Sequence, residues 1–292
     1  MDKILFNTDF AKNSKFDENF VGNISNKNDW KLLADQFKYY LNNLEKSNNE
    51  KTIKPLIPKL LHQIWLGDKK LPKSCIPWMK SWKKFNPDWE YKLWDEENIR
   101  ELNIIDFDVY SKKINPGYRS DILRYFILKK FGGLYVDTDF ECLKSIPSNF
   151  LKYKFIAGNM FGNKPSIGNS ILLSSPNFIL LDNVLNNIKS TPYKNEINYI
   201  IKNSGPENVT KEYFALEKFN KEHSLILPSN YFYPYPNFML NKQINRYLEI
   251  ENVSVGIHHW QMTWMKGSLF NRIRNKFNYF FNLQKIKNEK KL

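Results

Sequence analysis

Cysteine is nearly absent from this chain of 292 residues: only Cys75 and Cys142 occur, far apart and without paired spacing. That excludes a disulfide framework and a cysteine-based metal module. Histidine is also scarce, at four residues, so a structural zinc site has few donors to draw on. No stretch approaches the roughly 18 consecutive apolar residues of a membrane-spanning helix. Met1 to Lys15 has neither the apolar core nor the small-residue cleavage site of a signal peptide. A reducing, cytoplasmic setting is the expectation from these absences. Three nucleotide and hydrolase signatures are missing as well: the Gly-x-x-x-x-Gly-Lys-Ser/Thr loop, Gly-x-Gly-x-x-Gly and Gly-x-Ser-x-Gly.

What is present begins with aromatic residues, 16% of the chain, and a formal charge of +14 from 44 Lys and Arg against 30 Asp and Glu. The excess suits an anionic partner: a phosphate-bearing ligand, a membrane surface or nucleic acid. Part of it is concentrated in residues 267–292, where seven basic residues meet only Glu289. There Phe270, Ile273, Phe277, Tyr279, Phe280 and Phe281 alternate with Arg272, Arg274, Lys276, Lys285 and Lys287. This composition fits either a tail lying on an anionic membrane or a helix packed on the domain.

Periodicity divides the chain into a helical extension over 1–50, a main domain over 55–266 and the basic aromatic tail over 267–292. In the extension Trp30, Leu33, Ala34, Phe37 and Leu41 recur at helical spacing. The main domain alternates apolar strands with helices. Strands are expected at 60–67, 89–94, 134–136, 155–157, 170–173 and 253–257, with helices over 76–85 and 117–131. Such alternation favours an α/β sheet that binds ligands beyond the carboxyl ends of its strands.

The most informative segment runs from 117 to 142. An amphipathic helix carrying Asp121 and Arg124 on one face stops at Gly132-Gly133, a short apolar strand Leu134-Tyr135-Val136 follows, and Asp137-Thr138-Asp139 stands where that strand ends. Two carboxylates one residue apart on a rigid support can share a hard divalent cation. A carboxylate beside a guanidinium can hold a sugar hydroxyl together with a phosphate or second hydroxyl. By spacing alone, however, Asp121 and Arg124 also fit a surface ion pair, Asp137 and Asp139 fit turn residues, and His258 and His259 fit ordinary core or surface histidines.

Taken together, Ile57 to Gly67, Ser120 to Tyr125, Gly132 to Asp139, Gly205-Pro206 and His258-His259-Trp260 through Trp264 resemble the sugar-binding DXD glycosyltransferases of family 32. That group includes capsular polysaccharide and lipopolysaccharide transferases and the Och1-type mannosyltransferases. The resemblance implies a GT-A fold, a UDP- or GDP-sugar donor, Mn²⁺ or Mg²⁺, and hexose transfer with retention to a glycan or lipid-linked glycan acceptor. It also implies site roles. Trp65 borders the nucleotide base, Asp121 and Arg124 hold the donor sugar and ribose, and Gly133 lies in the donor site. Asp137 contacts ribose and metal, Asp139 binds the metal, His258 or His259 (His258 first) approaches the metal or diphosphate, and Trp264 closes the pocket. Thr263 stands where the family often has Ser, a departure that keeps the hydroxyl.

The segments 231–238 and 258–270 are candidates for a lid, and the tail would set the enzyme on the inner face of the cell membrane. Two other readings stand beside this one. A toxin-type glycosyltransferase would share the donor site and modify a host protein. A basic nucleic-acid-binding protein would explain the charge and aromatics and leave the aspartates unexplained, so no nucleic-acid partner is expected.

Overall fold

The computed structural model describes residues 9–14, 27–44, 54–160, 165–235 and 246–264; the expected tail over 267–292 lies outside them. Two N-terminal helices come first, α1 (Asp9–Asn13) and α2 (Lys27–Leu44), followed by β1 (Leu60–Ile64), α3 (Cys75–Phe85) and β2 (Glu90–Trp94). Next are α4 (Pro116–Phe131), β3 (Gly133–Val136), β4 (Phe140–Cys142), β5 (Phe155–Asn159) and β6 (Ile167–Ser174). The chain continues through α5 (Ile179–Lys189), α6 (Ile197–Asn203), α7 (Pro206–Ala215), α8 (Lys218–Glu222), β7 (Ser224–Leu227), α9 (Ser229–Phe232) and β8 (Gly256–His258).

Six strands form one sheet in the order β2-β1-β3-β6-β5-β7. β1 runs parallel to β2 and β3, β5 runs parallel to β7, and β6 is antiparallel to both β3 and β5. The α/β class expected from the alternation is therefore found, with one antiparallel strand in the middle of the sheet. Every residue of β3, β5, β6 and β7 is buried, as expected of strands covered on both faces. Because β1, β2 and β3 are parallel, their carboxyl ends open on the same edge. The segments beginning at Trp65, Asp95 and Asp137 leave the sheet there.

Local chemistry fixes α4. Pro116 sits in its first turn, where no amide hydrogen is needed, and the side chain of Asn115 accepts from Gly117 N at 2.8 Å. Gly132, at φ +67°, ends it. The helix is not simply amphipathic: Arg119, Asp121 and Arg124 are buried along with Ile122, Leu123, Tyr125, Ile127 and Leu128. Its polar stripe faces into the protein, which rules out the surface ion pair that spacing alone allowed.

The two glycines beyond α4 are required by sterics. A Cβ on Gly133, whose φ is +98°, would lie 2.3 Å from the carbonyl oxygen of Leu60, so only glycine lets β3 meet β1 here.

A small second sheet pairs β4 with β8 antiparallel, placing Phe140 opposite His258. The strand expected at 253–257 thus starts three residues later and ends one residue later, at Gly256–His258. The aromatic run at 231–235, part of one lid candidate, is buried against the main sheet. The Tyr233 hydroxyl reaches Ser170 Oγ at 2.9 Å, and its ring occupies space that side chains on Gly158 or Gly168 would fill. At the other end α2 buries Trp30, Leu33, Ala34, Phe37 and Tyr40. Phe37 meets Tyr231 edge-on at 5.9 Å and Gln36 Nε2 donates to Lys221 O at 2.7 Å, so the N-terminal helices share one hydrophobic core with the sheet.

His62, at the centre of β1, is buried in its neutral form. Trp94 Nε1 donates to Nδ1 at 3.3 Å, which leaves Nε2 to donate to Gly132 O at 3.1 Å. Burial, opposed only in part by the Gly132 carbonyl, lowers its pKa to about 4. In the unfolded chain the ordinary value is about 6.5. The unfolded state therefore binds the extra proton first. This contribution to stability is complete above about pH 6.5 and is lost as pH falls toward 4, to a total of about 3 kcal/mol. Urea unfolding of wild-type protein and His62→Gln at pH 7.5 and 5 checks this. Wild type should lose about 2 kcal/mol more than the variant between the two pH values, and equal losses would contradict it.

Candidate active site

Where β1, β2 and β3 end, a cavity of about 580 Å³ opens, bounded by Trp65 to Lys69, Lys112, the first turns of α4, Asp137 to Asp139, Asn169-Ser170, Ile200-Ile201, Gly205-Pro206 and 260–264. Asp121, Arg124, Asp137, Asp139, His258, Trp65 and Trp264, all expected from the sequence, line this one space. Gly133 does not. Its role is the close β1–β3 contact, and the expected donor contact is replaced by a backbone one with Leu60.

His259 points elsewhere as well. Its Nε2 lies 2.9 Å from Glu141 Oε2 and its ring stacks on Trp78 with centroids 3.8 Å apart. Strand alternation is the reason: consecutive residues at the end of β8 send their side chains to opposite sides, so only one of the two histidines can face the aspartates.

That one is His258. Its Nε2 is 3.1 Å from Asp139 Oδ1 and 3.9 Å from Asp137 Oδ2. Among the described residues, Asp137, Asp139 and His258 form a group offering three ligand atoms all within 4.8 Å of one another. Two carboxylate oxygens and an imidazole nitrogen suit Mn²⁺ or Mg²⁺ chemically, the nitrogen tilting the set toward Mn²⁺. The ring is held by stacking on Phe140 at 5.2 Å and by Trp260 at 4.0 Å, while its buried Nδ1 has no partner.

The two aspartates are electrostatically distinct. Burial raises the pKa of Asp137, offset only in part by Arg124, whose Nη1 lies 3.3 Å from Asp137 Oδ1. Tyr135 OH donates to that same oxygen at 2.5 Å. Burial acts on Asp139 in the same direction, but His258 and the Gln261 N–H, 2.7 Å from Oδ2, outweigh it and hold this carboxyl below the usual carboxylate range. A buried pair of this kind favours a bound cation, since added positive charge stabilises both ionised forms.

Beneath the aspartates, Arg124 Nη2 contacts Asp121 Oδ1 at 3.1 Å, Nη1 donates to Asn169 O at 2.7 Å, and Nε donates to Ser120 O at 3.2 Å. The guanidinium also lies 4.6 Å from the Tyr135 ring centre. Burial pushes Asp121 up to about 6, although Arg124, Ser204 Oγ at 2.7 Å and Asn169 Nδ2 at 2.9 Å all favour its ionised form.

Sequence reading passed over Asn169 and Ser204, which have no motif of their own. It also passed over a second network at the other end of the cavity. Arg119, 1% exposed, makes a two-pronged pair with Glu96 at 2.8 and 2.7 Å and donates to Val109 O. Glu96 Oε1 in turn accepts from Gly67 N at 2.7 Å. The loop beginning at Trp65, which walls the cavity, and the segments carrying Glu96 and Val109 are thus tied to one helix. The only sequence signal was an arginine five residues before Arg124 with no acid at helical spacing from it.

Comparison with known proteins agrees with this geometry. Residues 72–156 match the family described as glycosyltransferase sugar-binding region containing DXD motif. This segment is similar to the DXD-type glycosyltransferase regions of that family. It contains Asp121, Arg124, Asp137 and Asp139, and the family 32 resemblance is consistent with it. Inositol phosphoceramide mannosyltransferase 3 of Schizosaccharomyces pombe is 37% identical over 97 residues, covering 31% of this chain and 26% of that protein. Inositol phosphoceramide mannosyltransferase 2 of the same yeast is 28% identical over 192 residues, covering 60% of this chain and 51% of its own length. The chain therefore spans between about a quarter and a half of these relatives. Among solved structures, PaToxG glycosyltransferase aligns at TM-score 0.47 with 20% identity, over 64% of this chain and 79% of its own.

The Glu96–Arg119 pair gives a prediction for stability. Arg119→Ala leaves Glu96 with no cation at its buried end and frees the 65–69 loop. Breaking one side of a buried pair costs about 3–5 kcal/mol; because Glu96 is partly exposed, the lower end, about 3 kcal/mol, is expected. Urea denaturation of the variant measures it, and a change below about 1 kcal/mol would show the pair to be dispensable.

Proposed function

We propose that the chain is a metal-dependent, retaining glycosyltransferase that moves a hexose-type sugar from a UDP- or GDP-sugar to a glycan or lipid-linked glycan acceptor, in the synthesis of a capsular or other surface polysaccharide. The observation that carries the reading is the meeting of Asp137, Asp139 and His258 at the rim of a cavity floored by Asp121 and Arg124. The matched sugar-binding region supports it, as do relatives named as mannosyltransferases.

Asp137, Asp139 and His258 would hold Mn²⁺ or Mg²⁺, which when bound supplies a Lewis acid for the diphosphate. The protein's own groups do the rest. Trp65 and Trp264 form apolar walls for the base and close the site against water. Arg124 brings fixed positive charge to within 3.3 Å of Asp137, beside the place where the leaving group gains negative charge. Asp121, the one buried carboxylate beside the sugar end, is fully engaged by Arg124, Ser204 and Asn169. It is therefore poorly placed as a covalent nucleophile, and this supports a same-face displacement assisted by the departing phosphate.

A lipid-linked acceptor agrees with relatives named for inositol phosphoceramide. It also agrees with the basic aromatic composition of 267–292, which would place the enzyme peripherally on the inner face of the cell membrane. Among the described residues no helix is long and apolar enough to cross a membrane.

Two experiments test this. In a panel of UDP- and GDP-sugars with and without Mn²⁺, one donor should release its nucleotide in a metal-dependent manner, and Asp139→Asn should slow that release by about 100-fold or more. Release that is indifferent to metal, or intact in the variant, would count against the reading. Sedimentation with anionic liposomes should be lost on removing residues 267–292, and undiminished binding removes the membrane role from the tail.

A further inference from the structure

Asn169, on β6, is a polar side chain whose orientation the surrounding hydrogen bonds determine. Its Nδ2 lies 2.9 Å from Asp121 Oδ1 and 2.9 Å from Tyr125 OH. The Tyr125 hydroxyl spends its hydrogen on Ser204 O at 2.7 Å, so toward Asn169 it can only accept. A carboxylate can only accept as well. Both neighbours therefore require the amino group, and the amide cannot be turned around without setting a carbonyl oxygen against two other acceptors. The backbone is pinned too, since Asn169 O accepts from Arg124 Nη1 at 2.7 Å. The carbonyl oxygen Oδ1 is then left with no partner among the described residues and is not sealed from solvent, in a residue that lines the cavity beside Asp121, Arg124 and Ser170.

We propose that Asn169 Oδ1 accepts a hydrogen bond from a hydroxyl of the sugar being transferred, which makes Asn169 a specificity-determining residue for the donor. The inference rests on the nucleotide-sugar reading given above and says which part of the donor lies there. A neutral carbonyl oxygen repels phosphate oxygens and attracts an O–H. The place between Asn169 and Asp121 therefore takes the pyranose, and the diphosphate belongs at Asp137 and Asp139, where a divalent cation would be held. The fixed amide costs no reorganisation on binding, and a sugar lacking the matching hydroxyl leaves the oxygen unpaired in a confined site.

The test uses the full chain with Mn²⁺ and isothermal titration calorimetry. The probes are the UDP- or GDP-sugar that the donor panel selects, its parent nucleoside diphosphate, and the set of monodeoxy analogues of that sugar nucleotide. Asn169→Ala should weaken the sugar nucleotide about tenfold while changing the nucleoside diphosphate less than twofold. One deoxy analogue should bind wild type about tenfold less well than the parent does and lose nothing further in Asn169→Ala, a coupling that loosened packing cannot produce. Tyr125→Phe removes one partner of Nδ2 and keeps Oδ1. It should retain the preference for that hydroxyl. Equal weakening of nucleotide and sugar nucleotide, or additive losses for every analogue, overturns the role of Asn169 while leaving the donor reading in place. Wild-type protein that binds neither nucleotides nor their sugars overturns both.

Discussion

One buried guanidinium organises the functional half of this molecule. Arg124 is 5% exposed and touches Asp121, Asp137, the carbonyl oxygens of Ser120 and Asn169, and the face of Tyr135. Taking a charge this far from water is costly unless nearly every donor is engaged, and here the helix, the β3 end and β6 each supply an acceptor. Burial by itself would lower its pKa, but Asp137, Tyr135 and Asp121 together raise it, so the charge is permanent. Asp121 and Asp137 can then stay buried as carboxylates because that charge lies between them. The price is paid in stability, as the buried acids retain raised pKa values, and the return is a polar floor whose geometry exists before any ligand arrives.

The second requirement is to bring a histidine more than a hundred residues downstream to the end of β3. The main sheet does not do this. The β4–β8 pair does, by setting Phe140 opposite His258 and Glu141 opposite Ile257. Its register decides which of two adjacent histidines faces the aspartates, because a slip of one residue would exchange the environments of His258 and His259. The register is secured from several directions. His259 N donates to Asp139 O at 2.9 Å, Leu143 N donates to Val255 O at 2.9 Å, and His259 is clasped between Trp78 and Glu141. His259 thus supports the site from outside it.

Much of this was legible because the aspartates follow a short apolar strand, and the strand follows a helix with a double-glycine stop. Those are local patterns, and local patterns survive in a single sequence. Asp121 and Arg124 could be placed on one face but not inside or outside, since helical spacing is silent about which side of the helix the rest of the chain will cover. Asn169, Ser204, Glu96 and Arg119 were illegible for a related reason. Each acts through a partner 23 to 83 residues away, and nothing in its own neighbourhood marks it. Gly133 was misplaced because glycine has two uses that look alike in sequence, admitting a ligand or admitting another strand, and here the neighbour is Leu60. The short strands β4 and β7 were not expected at all, because neither Phe-Glu-Cys nor Ser-Leu-Ile-Leu is set off by a glycine stop like the one that marks β3.

The segment after β8 shows how the acidic pair and the cavity wall are joined. Trp260 and Met262 adopt φ values of 53° and 48°, a left-handed conformation that costs an ordinary residue about 1 kcal/mol or more. The chain tolerates two such residues because the segment is fastened at every step. Trp260 Nε1 donates to Tyr235 O at 3.0 Å, Gln261 N to Asp139 Oδ2 at 2.7 Å, and Asn115 Nδ2 to Trp264 O at 3.4 Å. The ring of Trp264 lies over Gly117, where even a methyl group would come within 2.6 Å of it. One of these fasteners is a carboxylate oxygen of Asp139, the member of the acidic pair whose pKa is held low. Anything that changes the charge on Asp139 also changes the strength with which it holds Gln261, three residues before the tryptophan that closes this wall of the cavity.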